Sequence, residues 1–138
     1  MPLTKAVFRV IPFVLFLMAC SSQKKIDNDP LIYYAKTRCL GKCPVFDLTI
    51  YNNGSIVYNG IENVVKKGIM KSSISSQKLT VLKDSLINLK LSVKEPNNKL
   101  KRDIPSTIIK YNGSTYKFQH GNQFKNIINE LNKIIDSL

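Results

Sequence analysis

The segment VFDLTIYNNGSIVY, residues 45–58, decides the fold. Apolar and polar residues alternate through its first half, which predicts a half-buried β-strand. The Asn-Asn-Gly sequence that follows predicts a hairpin with a three-residue loop and a left-handed Gly54. This loop places two pairs of residues opposite one another: Ile50 with Ile56, and Leu48 with Tyr58.

Strand patterns continue on both sides of this hairpin. Strands are predicted over residues 31–36 and 63–73, the second bending at its glycine. The dipeptide Asn112-Gly113 is a strong signal for a two-residue turn and predicts a second hairpin between residues 104–111 and 115–120. The register of this hairpin pairs Ile109 with Tyr116 and Thr107 with Phe118.

Two helices complete the pattern. Ser75 or Ser76 is expected to cap the first helix, which runs to about Leu91 and is followed by a polar loop over residues 93–102. Leucines at helical spacing form its buried stripe: Leu79, Leu82, Leu86 and Leu89. Asn122 is expected to cap the second helix, whose apolar residues follow an i, i+3, i+4, i+7 pattern: Phe124, Ile127, Ile128, Leu131, Ile134, Ile135 and Leu138.

These elements predict an α+β fold, in which two helices pack on one face of an antiparallel sheet of about five or six strands. The 138 residues suffice for one domain, which we assign to residues 31–138. An apolar content of 43% is enough to bury a core. One His, three Cys and nine acidic residues leave few groups for acid–base or metal chemistry. We therefore expect no metal site and no cofactor.

Residues 1–19 are typical of an export signal. Lys5 and Arg9 precede an apolar run of ten residues, which is too short to cross a bilayer as a helix. The run ends in Leu17-Met18-Ala19-Cys20, which resembles the lipobox of bacterial lipoproteins. That resemblance implies cleavage before Cys20 and acylation of its sulfur. An ordinary signal peptide with an incidental cysteine is the alternative.

Residues 20–30 are predicted to be the lipidated cysteine and a flexible polar tether, which reaches roughly 35 Å when extended. Two or three acyl chains hold a protein on a membrane essentially permanently. By resemblance to Gram-negative sorting rules, Ser21 after the cysteine favours the outer membrane. We expect an exported protein on the periplasmic side of that membrane.

Cys39 and Cys43 are expected to form a disulfide, because an exported protein folds in an oxidising compartment. Their Cα atoms must then lie about 4.4–6.8 Å apart, so the segment has to turn, and Gly41 permits a turn. Thiol redox chemistry at this pair is a second possibility. A zinc site that also used the distant His120 is a third.

Several motifs together resemble one family. They are Thr37-x-Cys39-x-Gly41-x-Cys43-Pro44-x-Phe46, Leu48-x-Ile50-Tyr51 and Asn53-Gly54-x-x-x-Tyr58-x-Gly60. This pattern resembles the domain-of-unknown-function family 6438, and residues 103–107 and the closing helix also fit. The resemblance implies a small bacterial domain, often in lipoproteins, and no established activity. The family pattern has a proline before the last helix, where this chain has residues 120–123, His-Gly-Asn-Gln.

Seven residues are candidates for ligand binding: Asp103, His120, Tyr58, Tyr116, Lys66, Lys67 and Arg102. Asp103 is alternatively a turn residue whose carboxyl accepts backbone hydrogen bonds. His120 is alternatively a solvated residue at a strand end. The tyrosines are either cross-strand core residues or a stacking platform for a sugar or peptide.

The chain is strongly basic, with a formal charge of +12 that becomes +10 after loss of the signal peptide. One basic surface is a possibility: Lys66, Lys67, Lys71, Lys94, Lys99, Lys101 and Arg102. Anionic lipids, lipopolysaccharide phosphates, wall polymers or an envelope protein are the available partners, whereas an exported protein does not meet nucleic acid. A general Lys/Asn-rich composition is the alternative explanation.

The sequence thus predicts an envelope lipoprotein acting as a non-enzymatic binding or structural module. The alternatives are an envelope hydrolase, in which Asp103, His120 or another acid meet in a pocket, and a thiol redox protein that uses Cys39 and Cys43.

Cys20→Ala is expected to abolish acylation and processing, because the thioether to lipid forms on this sulfur. Membrane fractionation and labelling with a fatty-acid analogue measure the effect, with Ser21→Ala as the matched control. Normal processing of Cys20→Ala, or insensitivity of the wild-type chain to globomycin, would refute the assignment of a lipoprotein.

Overall fold

The computed structural model describes residues 29–92, 100, 101 and 103–138. The proposed signal peptide, Cys20, Arg102 and most of the tether and of the loop over residues 93–102 lie outside these residues. The described strands are β1 (Pro30–Lys36), β2 (Val45–Tyr51), β3 (Ser55–Glu62), β4 (Gly68–Ser73), β5 (Thr107–Tyr111) and β6 (Ser114–Phe118). The helices are α1 (Ser76–Ser92) and α2 (Lys125–Asp136), the second preceded by a 3₁₀ turn, Asn122–Phe124.

The strands form one antiparallel sheet in the order β4-β3-β2-β1-β5-β6, which confirms the α+β class. Both hairpins have their predicted registers, including Leu48 opposite Tyr58 and Thr107 opposite Phe118. Gly54 has a φ of +86°, as the three-residue loop requires. Local turn chemistry therefore sets the register of each hairpin.

Both helices pack on one face of the sheet. Among the described side chains of α1, Leu82, Leu86 and Leu89 are buried, whereas Leu79 is only half-buried. From α2 and the turn before it, Phe124, Ile127 and Leu131 are buried in the same core. They meet alternate side chains of the strands, among them Ile32, Tyr34, Leu48, Ile50, Ile56, Tyr58, Ile109 and Phe118. The stripes predicted from periodicity thus cover the apolar side of the sheet.

The opposite face of the sheet is more polar. Asn59 donates a hydrogen bond to Asp47 across β2 and β3, at 3.2 Å, and the ammonium of Lys110 lies 5.2 Å from the ring centre of Tyr33. Burial, followed by the negative charge of Asp47, raises the pKa of Tyr33. The alternation seen in the sequence therefore separates one packed face from one wetter face, as is common in antiparallel sheets.

The prediction of a strand over residues 63–73 is wrong for the first half of this segment. β3 continues to Glu62, residues 63–67 form a loop, and β4 begins at Gly68, where φ is +88°. Asn63 also has a positive φ, of +53°, which ends the extended conformation at this point. The chain therefore turns earlier than the apolar pattern suggests.

The ends of three other elements differ from the predictions. β5 begins only at Thr107 and β6 ends at Phe118. Asn122 does not cap the last helix but begins the 3₁₀ turn, and neither the turn nor α2 has a side-chain cap. The ring of Phe124 stacks on that of Phe118 at 4.3 Å, so tertiary packing rather than a cap sets this start.

Tyr34 makes the stability of the fold pH-dependent. Its side chain is fully buried, and burial raises its pKa to about 12 from the ordinary 10. Because the folded state disfavours the phenolate, the stabilisation is complete below pH 10 and is lost as the pH rises towards 12. By pH 11 the wild-type chain should lose about 1 kcal/mol that Tyr34→Phe retains.

The measurement is the difference in unfolding free energy between these two proteins, from urea titrations at pH 9 and pH 11. Lys36 also has a pKa shifted by burial, downwards, but it is present in both proteins and cancels. An equal pH dependence in the two proteins would contradict the role of Tyr34.

Candidate functional site

Cys39 and Cys43 form a disulfide in the loop between β1 and β2, with Cα atoms 5.9 Å apart. Two contacts tie this loop to the segment after β3. The guanidinium of Arg38 pairs with Glu62 at 2.9 Å, and the amide of Asn63 donates to the carbonyl of Cys43 at 3.1 Å. We call the end of the sheet at which β1 ends and β2 begins the disulfide end.

The residues before β5 meet the same end of the sheet. Thr37 donates its N–H to the carbonyl of Ser106 at 3.0 Å and accepts the Ser106 N–H on its hydroxyl at 2.9 Å. The ammonium of Lys36 donates to the hydroxyl of Thr107 at 2.9 Å, and burial lowers its pKa. The two sequence motifs, one around Cys39 and one around Ser106, are thus joined directly.

Gly60 allows the loop of residues 63–67 to fold closely over β3. A Cβ atom at this position would overlap the carbonyl oxygen of Lys66. The loop in turn reaches α2, because the ammonium of Lys66 donates to the carbonyls of Ile135 and Asp136 at 3.0 and 2.9 Å. A cation at the carboxyl end of a helix satisfies carbonyls that have no partner within the helix.

A groove of about 490 Å³ lies between this loop and α2. Its apolar walls are Pro44, Phe46, Val64, Val65 and Ile135, and its polar lining is Tyr58, Asn63, Lys66, Asn132 and Asp136. Pro44 directly follows the disulfide, so the disulfide end forms one rim. The groove has the size and mixed lining of a small-molecule or peptide site.

The polar groups of the groove differ in their hydrogen-bond partners. Asn132 accepts a hydrogen bond from the buried hydroxyl of Tyr34 at 3.1 Å, and Lys66 is engaged with the helix carbonyls. The ring of Tyr58 is buried, but its hydroxyl is open to solvent at the groove: no described residue hydrogen-bonds to it, and no fully buried side-chain nitrogen or oxygen of the described residues lacks a partner. Burial, followed by the charge of Asp47, raises the pKa of Tyr58, which keeps this hydroxyl protonated as a donor.

The candidate residues from the sequence fall into separate places. Tyr58 and Lys66 line the groove, and Lys67 is exposed beside it. Tyr116 lies on the packed face instead, with its ring 5.3 Å from that of Phe124. Arg102 lies outside the described residues.

Asp103 and His120 are both exposed, on the two segments that flank the β5–β6 hairpin. No hydrogen bond links their side chains to each other, and within the described chain the Asp103 carboxylate accepts none from the turn amides. Gln119 instead holds this region together, through the backbone of Lys101 and the carbonyl of Ile104. The sheet residues of the groove lie on β2 and β3, whereas Asp103 and His120 flank β5 and β6, which are at least two strand positions away in the sheet.

The lysines of the predicted basic surface that the structure describes do not lie together, and Lys94, Lys99 and Arg102 lie outside the described residues. Lys71 lies on β4, one edge of the sheet, together with the neighbouring Lys66 and Lys67. Lys101 is held by Gln119 just after β6, at the other edge. Over the described residues no group of three or more His, Cys, Asp and Glu is arranged to hold a metal, and no helix is long and apolar enough to span a membrane.

The sequence did not predict the groove. Tyr58 and Lys66 were candidates, but Asn132 was only a polar position on a helix. The usable signal was Gly60, because a glycine near a strand end often marks a close approach of another backbone segment. Which segment approaches depends on the β3–β4 loop and α2, which are about 70 residues apart in the chain.

These observations define a small α+β domain with a ligand-sized groove beside a disulfide. The family model called Domain of unknown function (DUF6438) matches residues 30–138, and the chain belongs to this family. No curated protein matches the chain.

Gly60→Ala is expected to destabilise the domain by about 3 kcal/mol, because the new methyl group displaces the loop that carries Lys66. Gly68→Ala is the matched control: it has open space around it and pays only for its positive φ, about 1 kcal/mol. Urea unfolding and amide exchange at residues 64–66 measure both effects. Equal costs for the two variants would show that the close approach at Gly60 is not needed.

Proposed function

We propose that the protein is an envelope lipoprotein whose domain is a non-enzymatic binding module, with the groove as its ligand site. The lipobox-like residues 17–20 support the anchor, and the polar composition of residues 21–30 supports a tether on the periplasmic side of the outer membrane. An envelope protein, lipopolysaccharide or a wall polymer is the source of the ligand in this proposal. Nucleic acid is not a partner.

The observation that carries the proposal is the Tyr58 hydroxyl. Its ring is buried in the core, whereas the hydroxyl is reached by solvent, because no fully buried side-chain nitrogen or oxygen of the described residues lacks a hydrogen bond. The described chain supplies no hydrogen-bond partner for this hydroxyl, which belongs to a residue that lines the groove. A ligand with a hydrogen-bond acceptor and an apolar body would accept a hydrogen bond from Tyr58 in place of water and cover the walls around it.

The lining of the groove also supports binding over catalysis. A protonated phenol, an amide and an ammonium already held by two carbonyls orient a ligand well, but none of them is an activated nucleophile. The alternative hydrolase would draw on Asp103 and His120, which the fold leaves exposed on other segments. The alternative redox protein would use the Cys39–Cys43 disulfide. In this fold the disulfide closes a loop at the rim of the groove, and the carbonyl of Cys43 is hydrogen-bonded to Asn63.

Tyr58→Phe tests the proposal because it removes only the hydroxyl. The ring keeps its position 5.8 Å from that of Phe46, and no protein hydrogen bond is lost, so stability should stay within about 0.5 kcal/mol of wild type. Binding of the envelope ligand should fall about fivefold, the usual value of one hydrogen bond. Tyr116→Phe, which removes a phenol on β6 away from the groove, is the control.

The measurement is mass spectrometry of the lipids, glycans and peptides that copurify with the full-length protein from envelopes in mild detergent. The amount bound to Tyr58→Phe should be reduced relative to wild type and to Tyr116→Phe. Equal amounts on all three proteins, or no bound material on wild type, would reject the groove as the ligand site.

A further inference from the structure

Two apolar side chains project into solvent at the disulfide end. Leu40, between the disulfide-bonded cysteines, is 82% exposed, and Val65, at the tip of the β3–β4 loop and at the edge of the groove, is fully exposed. With Lys42 and Lys67 they form what we call the tip surface. We propose that the tip surface docks the folded domain onto an anionic lipid bilayer.

The tips are held outward by contacts that do not involve the apolar side chains themselves. The disulfide closes the loop that carries Leu40. The Asn63 amide bonds the carbonyl of Cys43, and the Lys66 ammonium fixes the other loop to α2. Because these loops are already ordered, insertion of Leu40 and Val65 into a membrane requires little further loss of conformational freedom.

Charge favours an anionic partner over a second copy of the chain. Lys42 and Lys67 are exposed and form no ion pair within the described residues, whereas the nearby Glu62 is paired with Arg38. Two copies that met through their tip surfaces would bring like charges together. An anionic bilayer attracts these lysines and, being deformable, accepts convex apolar tips without a matching pocket.

The distances within the chain allow this second contact. β1 begins at Pro30, at the opposite end of the sheet from the tip surface, and its seven residues span about 23 Å. The ten residues from Cys20 to Pro30 reach roughly 35 Å when extended. The tether of the proposed lipoprotein is therefore long enough for the disulfide end to contact the same membrane. The docking itself does not depend on the anchor.

Tryptophan probes test the proposal directly, because the chain contains no Trp. Leu40→Trp and Val65→Trp are made in a chain that starts at Ser21, which has no acyl anchor and contains all the core residues, Ile32 to Leu131. Ile87→Trp, at an exposed apolar position on α1, is the matched control. The vesicles are phosphatidylcholine alone or mixed with phosphatidylglycerol.

With phosphatidylglycerol, the two tip probes should shift to the blue and be quenched by brominated acyl chains, while the Ile87→Trp probe should do neither. Leu40→Asn should weaken flotation with these vesicles about tenfold. Lys42→Gln and Lys67→Gln should each weaken it about fivefold, and added salt should do the same. Thiol titration confirms that the disulfide is intact in every variant.

Absence of vesicle binding, or equal responses from tip and control probes, would overturn the proposal. The proposal would also be overturned if the domain did not bind vesicles and Leu40→Asn abolished copurification of one protein. That outcome would assign the tip surface to a protein partner. Failure of acylation at Cys20 would leave these vesicle results unchanged, so the two proposals fail separately.

Discussion

The whole architecture depends on the burial of one face of a six-stranded sheet beneath two helices. Alternate residues of the strands place Ile, Leu, Tyr and Phe side chains on that face. The helices pack their own stripes of apolar side chains against them. A single apolar side chain of this kind contributes about 1.5–3 kcal/mol when it is removed from water. Tyr34 shows how the polar exceptions are accommodated, because its hydroxyl finds Asn132 on α2. That contact also fixes a residue of the groove.

The groove follows from the packing of one loop rather than from any single motif. Gly60 brings the backbone of Lys66 against β3, and the side chain of Lys66 then joins the end of α2. The space left between the loop and the helix is lined by Phe46 and Tyr58, whose rings belong to a row that begins with Tyr34. A site of this kind needs the hydrophobic core to be complete before its walls exist.

Sequence reasoning succeeded where interactions are local. Asn112-Gly113 and Gly54 set the two hairpin registers, because each turn type dictates which residues face each other. It failed at residues 63–67 and at Asn122, where the backbone follows contacts with distant segments. Periodicity carries no information on such contacts. The groove belongs to the same class, since β3, its loop and α2 meet only in the folded chain.

The disulfide is better understood as a local brace than as a source of global stability. A loop of five residues gains only about 2 kcal/mol from cross-linking on chain-entropy grounds, less than burial of two core side chains. Its position is more informative than this energy. The loop that it closes carries Leu40, supplies the carbonyl that holds Asn63, and leads into Pro44 at the groove. The cross-link therefore orders one rim of the groove and the loop that carries Leu40 at the same time.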